Sequence, residues 1–581
     1  MNKLAYILTV LFSLMLGEIC AQQVGVTWGF TGGGGNTDRI TNVAIDAMGN
    51  TFMAGEFEDS VKVSNGNPAE YVKGGGYKDI FLAKFDKDGN KIWAHGFGDT
   101  GRDYPWGMEL DPNGGVFMGG IFYGTVDFDP GAGTTSFTSN PAGFWVDGYL
   151  AKYDDNGELQ WAKHLKTARD RNASHSAVLL TMRGMDVDAS GNLIVGGSLW
   201  DSVWFAPNSL VVSQTSLRDM FLAKYDPSGN LLWVKHFPAS SDQQITNLAV
   251  DSNGDIAVTG WVIGSVDLDP GAGTNMMTSK GQMDPFVAKY DANGNHLWGF
   301  GLGSAGASEE GRGVSVDGNN NIYITGRIRE KVDFDPGSDS AFISRSGLSD
   351  LYVAKYSPQG ALQWAFGLDG GTSEIGEDID VLPNGEFVVG GIFGAAAGLD
   401  LDPGPDTFAV YNNPGGEDVF VARYDASGSF LYGFEIRGLD EDVLSSVAVS
   451  GDNIAAGGYF GRTILLNRTT GDLRFANGPT DMWVLRFGQK TSGIASLVLR
   501  KNLKTYPNPA KYDISLSADW GKVMEAEVQI RDLQGRLVAN RILPPASTLD
   551  LKMDISGLSS GNYTISLILP VGMQTQTLIK H

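Results

Sequence analysis

Apolar residues in this chain fall in short runs that recur in groups of four. The first group is Asn42–Asp46 (NVAID), Thr51–Phe57 (TFMAGEF), Asp79–Asp86 and Lys91–Phe97 (KIWAHGF). Runs of this length bounded by Gly, Asn and Asp read as strands. The turn Asp46-Ala47-Met48-Gly49-Asn50 between the first two supplies the Gly and Asn that a tight hairpin needs for positive φ. It recurs as Asp188–Asn192 and Asp251–Asp255, with looser forms at Asp111–Gly115, Asp317–Asn321 and Leu382–Glu386. Lys87-Asp88-Gly89-Asn90 joins the third run to the fourth in the same manner. Each group therefore predicts a four-stranded antiparallel meander. Some runs, such as FLAKF and LIVGG, are apolar on both faces, which suits sheets that are covered on both sides.

The third and fourth runs carry the clearest repeat. DIFLAKFDKDGNKIW from Asp79 returns in close copies from Asp147, Asp219, Asp284, Asp350 and Asp418, and in truncated form, DMWVLRFGQ, from Asp481. The fourth-strand aromatics Trp93, Trp161, Trp233, Trp298, Trp364 and Tyr432 lie 65 to 72 residues apart by subtraction of their numbers. The seventh copy lacks this aromatic, and Trp28, 65 residues before Trp93, sits in a matching segment at the other end of the chain. An orphan fourth strand at the start and a missing one at the end predict a closed ring. The expected fold class is all-β, a seven-bladed β-propeller over residues 22–488, with Val24–Phe30 completing the last blade beside Met482–Phe487. A parallel β-helix is the rival repeat fold, and its rungs are far shorter than this period.

Composition narrows the setting. Gly is 79 of 581 residues while 42% are apolar, which fits a turn-rich globular protein. A net charge of −24 argues against nucleic acid or anionic membrane as partner and leaves divalent cations, basic proteins and neutral glycans open. Residues 1–21 read as a signal peptide: Lys3, an apolar stretch from Leu4 to Leu16, and a cleavage site at Ile19-Cys20-Ala21. The alternative is a lipoprotein signal acylated at Cys20, from which Glu18 departs by standing where a small or apolar residue is usual. The apolar stretch is too short to span a bilayer, and no later segment replaces it. Cys20 is the single cysteine, so stability must come from packing.

After residue 488 the pattern stops. Residues 489–502 read as a linker, and residues 503–581 as a small β-sandwich with strand-like runs at Ala526–Asp532, Arg536–Arg541 and Tyr563–Leu569. Two resemblances follow. The D-x-x-G-N turn, the Ile322–Gly326 strand and the D-x-F-L-A-K-Y-D signature resemble the bacterial SBBP-type β-propeller repeat, over residues 24–488. Tyr506-Pro507-Asn508-Pro509, the V-x-I-x-D-x-x-G run from Val528 to Gly535, the Leu558–Tyr563 segment and the Leu578-Ile579-Lys580-His581 ending resemble the type A C-terminal sorting domain of the Bacteroidota type IX secretion system. That resemblance implies handling by the type IX machinery, export through the outer membrane, and a final location in the medium or on the cell surface.

Candidate chemistry is sparse. An Asp at the start of each third strand is followed five residues later by Lys or Arg, in Asp79/Lys84, Asp147/Lys152, Asp219/Lys224, Asp284/Lys289, Asp350/Lys355, Asp418/Arg423 and Asp481/Arg486. Odd spacing puts the two on opposite faces of a strand, so each is expected to meet a partner on a neighbouring strand or blade; a ring of basic groups binding an anion is the functional alternative. The D-x-D-P-G runs at Asp127–Gly131, Asp267–Gly271, Asp333–Gly337 and Asp400–Gly404 read either as turns or as calcium ligands. The six histidines, His95, His164, His175, His236, His296 and His581, form no cluster along the sequence. HExxH, G-x-S-x-G, a P-loop and a cysteine pair are all missing, so no catalytic, cofactor or metal residue is named. Trp106, Trp145, Trp200, Trp204 and Trp261 break the repeat and are candidates for contact with a glycan or protein. The expected function is non-covalent recognition of a macromolecule or glycan; the alternatives are an extracellular polysaccharide hydrolase or lyase acting at the channel, and a structural surface component.

Overall fold

The computed structural model describes residues 24–63, 70–139, 146–167, 180–213, 217–345, 347–394, 398–412, 416–438, 440–467, 472–476, 478–489, 501–506, 508–532, 536–569 and 572–581. The signal segment and Trp145 lie outside them, as do His175 and residues 490–500 of the linker. The chain divides into two compact units, Met1–Leu466 with Asp472–Gln489, and Lys490–His581 with Asn467–Gly471.

In the larger unit seven antiparallel sheets are built on one plan, strands one to four in meander order. The first blade is Arg39–Ile45, Thr51–Phe57, Asp79–Phe85 and Lys91–Phe97. The seventh takes its outer strand from the start of the chain: Val24–Gly32 runs antiparallel to Asp481–Gln489, with Trp28 opposite Arg486. The innermost strands are Arg39–Ile45, Tyr104–Leu110, Leu180–Val187, Gln243–Val250, Glu310–Val316, Glu374–Val381 and Asp442–Ser450. Each contacts the next, and the last contacts the first, so the sheets close into a seven-bladed β-propeller around a channel.

The second and third strands are buried along nearly their whole length, and the apolar clusters straddle neighbouring blades. This explains runs that are apolar on both faces. The fourth-strand aromatics rivet the joints: the indole N–H of Trp93, Trp161 and Trp298 donates to the carbonyl of Asp155, Pro227 and Pro358 in the next blade at 3.0, 2.9 and 3.0 Å. At the seam blade seven holds blade one by other contacts: Trp28 stacks on Phe85 and the Arg486 guanidinium donates to the Gly49 carbonyl.

In blades one to six the signature cation is ion-paired to the turn between strands one and two. Lys152 meets Asp111 at 2.6 Å, Lys224 meets Asp188 at 2.8 Å and Lys289 meets Asp251 at 2.7 Å. In blade six the turn has Leu382 where blades one to five have Asp, and Arg423 reaches Glu386 at 2.6 Å instead. Leaving a buried charge without its partner costs roughly 3–5 kcal/mol, so the pair survives with changed members. The D-x-D-P-G runs are turns that tuck inward. Asp127 accepts from the Asp129 and Thr135 N–H groups and Asp129 from Gly131, a pattern repeated at Asp267, Asp333 and Asp400. The buried residue between the two acids gives its carbonyl to a third-strand tyrosine, as Phe128 does to Tyr153 at 3.0 Å.

Each innermost strand carries a β-bulge at the same place, and a glycine of the neighbouring strand makes room for it. A Cβ on Gly55, Gly120, Gly197, Gly260, Gly326, Gly391 or Gly458 would run into the carbonyl of Arg39, Tyr104, Thr181, Gln244, Glu310, Ile375 or Val443 respectively. One glycine per blade therefore lets the strand kink towards the axis.

The first residue of each third strand lies at a blade joint near an acid of the next blade: Asp79 by Asp103, Asp284 by Glu309 and Asp418 by Asp442. Burial, helped by the neighbouring carboxyl, pushes Asp103 up to about 8 and Asp442 up to about 10. Where the second acid is missing a histidine stands in: His164 contacts Asp147 at 2.7 Å and His236 contacts Asp219 at 2.9 Å.

The smaller unit folds back on itself. The long strand Asp513–Arg531 pairs with Leu537–Asp554 on both sides of a break between Asp519 and Met524, with Lys501–Tyr506 along its first half and Gly561–Leu569 along its second. Ile514 and Leu516 from one half share a core with Val528, Ile530, Ile565 and Leu578 from the other, a small β-sandwich.

Two predictions follow from the joints. Acids such as Asp442 and Asp103 hold protons in the fold to higher pH than in the unfolded chain, where carboxyls titrate near 4. Their contribution is complete below about pH 4 and is lost as pH rises through about 8 to 10. Thermal unfolding is expected to show a melting temperature that falls between pH 6 and 9. Asp442→Asn should flatten that slope and gain at least about 1 kcal/mol at pH 9; an unchanged slope refutes the assignment. Separately, Gly326→Ala is expected to cost about 2–4 kcal/mol in denaturant unfolding, and Gly35→Ala, where an added Cβ meets nothing within 4 Å, less than about 0.5 kcal/mol.

Candidate functional site

The seven bulges point seven side chains into one end of the channel. In blade order these are Thr41, Trp106, Arg183, Thr246, Arg312, Glu377 and Ser445, each at the register shift of its strand. All seven line a cavity of about 500 Å³. They belong to the first half of each innermost strand, so this mouth opens on the side where strand four connects to the next blade and where the long loops between strands two and three emerge. The blades that agree so closely at their joints differ here in almost every member.

The two sides of the mouth differ in charge organisation. On blades five and six Arg312 bonds Glu377 at 2.5 Å and Glu310 at 2.9 Å, and Arg327 also bonds Glu310. Despite the burial, these cations hold the Glu310 carboxyl below its usual range. That side is an internally neutralised network. On blades two to four the lining is aromatic and amide: Tyr104 and Trp106 have ring centroids 4.5 Å apart, and Trp261 and Gln244 stand beyond them. The Arg183 guanidinium lies 4.8 Å from the Trp106 ring, exposed to the water of the mouth yet walled by protein. Burial among those walls holds it below the usual arginine range.

Below the mouth the channel continues as a chamber of about 260 Å³ whose lining includes Glu109, Asp186, Asp378 and Asp380. The innermost strand is a sheet edge with N–H groups that have no strand to bond. Three of these acids answer that need across the joint. Asp186 accepts from the Val250 N–H at 2.5 Å, Asp378 from Val447 at 2.9 Å and Asp380 from Val449 at 2.7 Å, each in the next blade. Glu109 accepts from its own neighbour, Leu110, at 2.9 Å. Burial, and for Glu109 the charge of Asp186, pushes all four carboxyls up.

Of the tryptophans singled out in the sequence, Trp106 and Trp261 reach the mouth. Trp200 lies under Arg218, which also covers Trp261, at 4.4 and 5.3 Å. Trp204 is elsewhere, on a hairpin strand that extends the outer edge of blade two. Sequence reading missed Tyr104, Arg183, Glu310, Arg312, Glu377 and Tyr459. It began the first strand at Asn42, whereas the strand starts at Arg39, and the bulge falls between. Aligning the seven first strands on their second-strand glycines would have exposed the divergent column.

Residues 504–581 match the secretion system C-terminal sorting domain. Over 366 residues, 55% of this chain, the sequence is 21% identical to an uncharacterised WD repeat-containing protein of Acanthamoeba polyphaga mimivirus, covering 26% of that protein. Over 42% of the chain it is 26% identical to the regulatory protein FlaEY of Caulobacter vibrioides, again 26% of that protein's length. The chain thus spans about a quarter of each of these relatives. Among solved structures, a puromycin hydrolase mutant complexed with PGG is 12% identical with a TM-score of 0.37, over 83% of this chain and 59% of that one. Latent PorU of Porphyromonas gingivalis is 11% identical with a TM-score of 0.13, over 58% of this chain and 32% of that one. The chain is an all-β repeat protein that ends in a type IX secretion sorting domain, the mark of a secreted or cell-surface product.

Proposed function

We propose that this is an exported saccharide-binding protein whose propeller mouth holds its ligand without covalent chemistry. The observation that carries the reading is the ring of seven bulges: the same backbone device in every blade presents side chains of five kinds to one cavity. A uniform scaffold with a varied, inward-facing set of side chains is the arrangement of a recognition site, because residues kept for packing alone would repeat with the blades. Saccharides suit this set. Their ring faces stack on indole and phenol, and their hydroxyls bond amides, hydroxyls and charged groups such as Gln244, Thr246, Asn42 and Ser445. The SBBP-type repeat and the removal of residues 1–21 on export belong to the same reading.

A second reading, a polysaccharide hydrolase, is favoured by one observation: Glu109 sits below the mouth with its carboxyl held well above the usual range by burial and by Asp186, as a proton donor requires.

The test is a saccharide array and calorimetric titration with the full chain. Trp106→Ala is expected to weaken binding at least about tenfold, some 1.4 kcal/mol, while Trp204→Ala on the outer hairpin leaves it unchanged. Equal losses in both, or no saccharide bound, overturn the reading. Release of reducing ends from a bound saccharide, abolished by Glu109→Gln with binding intact, would establish the hydrolase instead.

A further inference from the structure

The arginines at and around the mouth differ in whether a carboxylate meets them. Arg312 and Arg327 share Glu310, and Arg312 also holds Glu377. Arg39 lies 3.8 Å from Glu56, and Arg218 lies 3.8 Å from Asp242. Each of these guanidinium groups has a carboxylate within ion-pair distance. Arg183 has none among the described residues: its close partner is the face of Trp106, and it stands free in the cavity.

An unpaired guanidinium is costly in such a place. The walls remove part of its water, and the ring behind it returns only about 0.5–2 kcal/mol. Its five donors form a planar fork matched to a two-oxygen anion, and stacking on Trp106 leaves the edge of that fork free to bond. Gln244, Thr246 and Trp261 stand on the same side of the mouth; the Thr246 hydroxyl, which donates to the Gly311 carbonyl, keeps its oxygen as an acceptor. Glu310 and Glu377, the carboxylates whose charge acts on Arg183, are already paired with Arg312 and Arg327; Asp378 and Glu441 also line the mouth.

Building on the saccharide reading above, we propose that the ligand is an anionic saccharide whose carboxylate or sulfate group is bound by Arg183 while a sugar ring lies against Trp106. The net charge of −24 opposes the approach of a polyanion at long range. At physiological ionic strength the Debye length is about 8 Å, so the remote charges are screened and the close contact is not.

The experiment is calorimetric titration of the full chain at 0.15 M salt, where that screening length of about 8 Å applies. The probes are oligogalacturonate, sulfated galactan oligosaccharide, neutral galacto-oligosaccharide and a short polyglutamate peptide. At least one anionic saccharide is expected to bind about tenfold or more tighter than the neutral one. Arg183→Gln should remove that preference, so that the anionic and the neutral saccharide bind the variant with about equal affinity. Arg183→Lys should restore part of it, since an ammonium supplies charge without the fork. Which of the two anionic saccharides shows the preference identifies the group that is read. Equal binding of neutral and anionic saccharides, sensitive to Trp106→Ala, overturns this inference and leaves the saccharide site standing. A preference that survives Arg183→Gln overturns the role of Arg183. Tighter, Arg183-dependent binding of polyglutamate overturns the saccharide class, and binding of no probe overturns both proposals.

Discussion

A sheet that is apolar on both faces must be covered on both faces, and that requirement governs this molecule. A stack of such blades exposes one apolar face at each end unless it curves until the ends meet. Here they meet through Val24–Gly32, which lies in the last blade although it opens the described chain. Uniform joints follow, since a ring of near-equal angles asks each blade to present the same wedge to the next. The aromatic-to-carbonyl bonds, the buried lysine pairs and the tyrosine that caps each inward loop recur for that reason.

Closure also creates the one surface that packing leaves unconstrained. The innermost strands line a channel instead of a neighbour, so their side chains are free to diverge, but their edge N–H groups still need acceptors. The molecule divides the length of each strand between those two facts. Deeper in the channel, Asp186, Asp378 and Asp380 serve the backbone of the next blade. Nearer the mouth, the bulge releases a residue from the ladder and turns it inward. Backbone support and side-chain variation are thus carried by residues a few positions apart on the same strand. The second-strand glycine, which looks like a turn-former out of place, is what makes the bulge possible.

The joints carry many buried carboxyls in a chain whose excess is already acidic. Pairing two acids across a joint is tolerable when they share protons, and His164 and His236 show the other solution, an acid matched to an imidazole. Two of the six histidines are thereby explained by the aspartate each one meets. His95, one residue closer to its tryptophan than those two are to theirs, is stacked on the Trp93 indole instead.

The sequence by itself determined the blade count, the strand order, the position of the seam and the nature of the tail. All of these rest on features that repeat or that sit at fixed spacing: the Asp79–Trp93 signature, the displaced Trp28 and the motifs between Tyr506 and His581. Repetition is legible because each blade faces the same packing problem. The mouth of the channel was decided only by the tertiary structure. A bulge breaks the alternation that marks a strand, so Arg39-Ile40-Thr41 and its six counterparts carried no strand signal of their own. Only the ring brings Trp106, Arg183 and Arg312, from three blades and more than two hundred residues of chain, to face one cavity. No local pattern records that proximity, because it is set by the angle between blades.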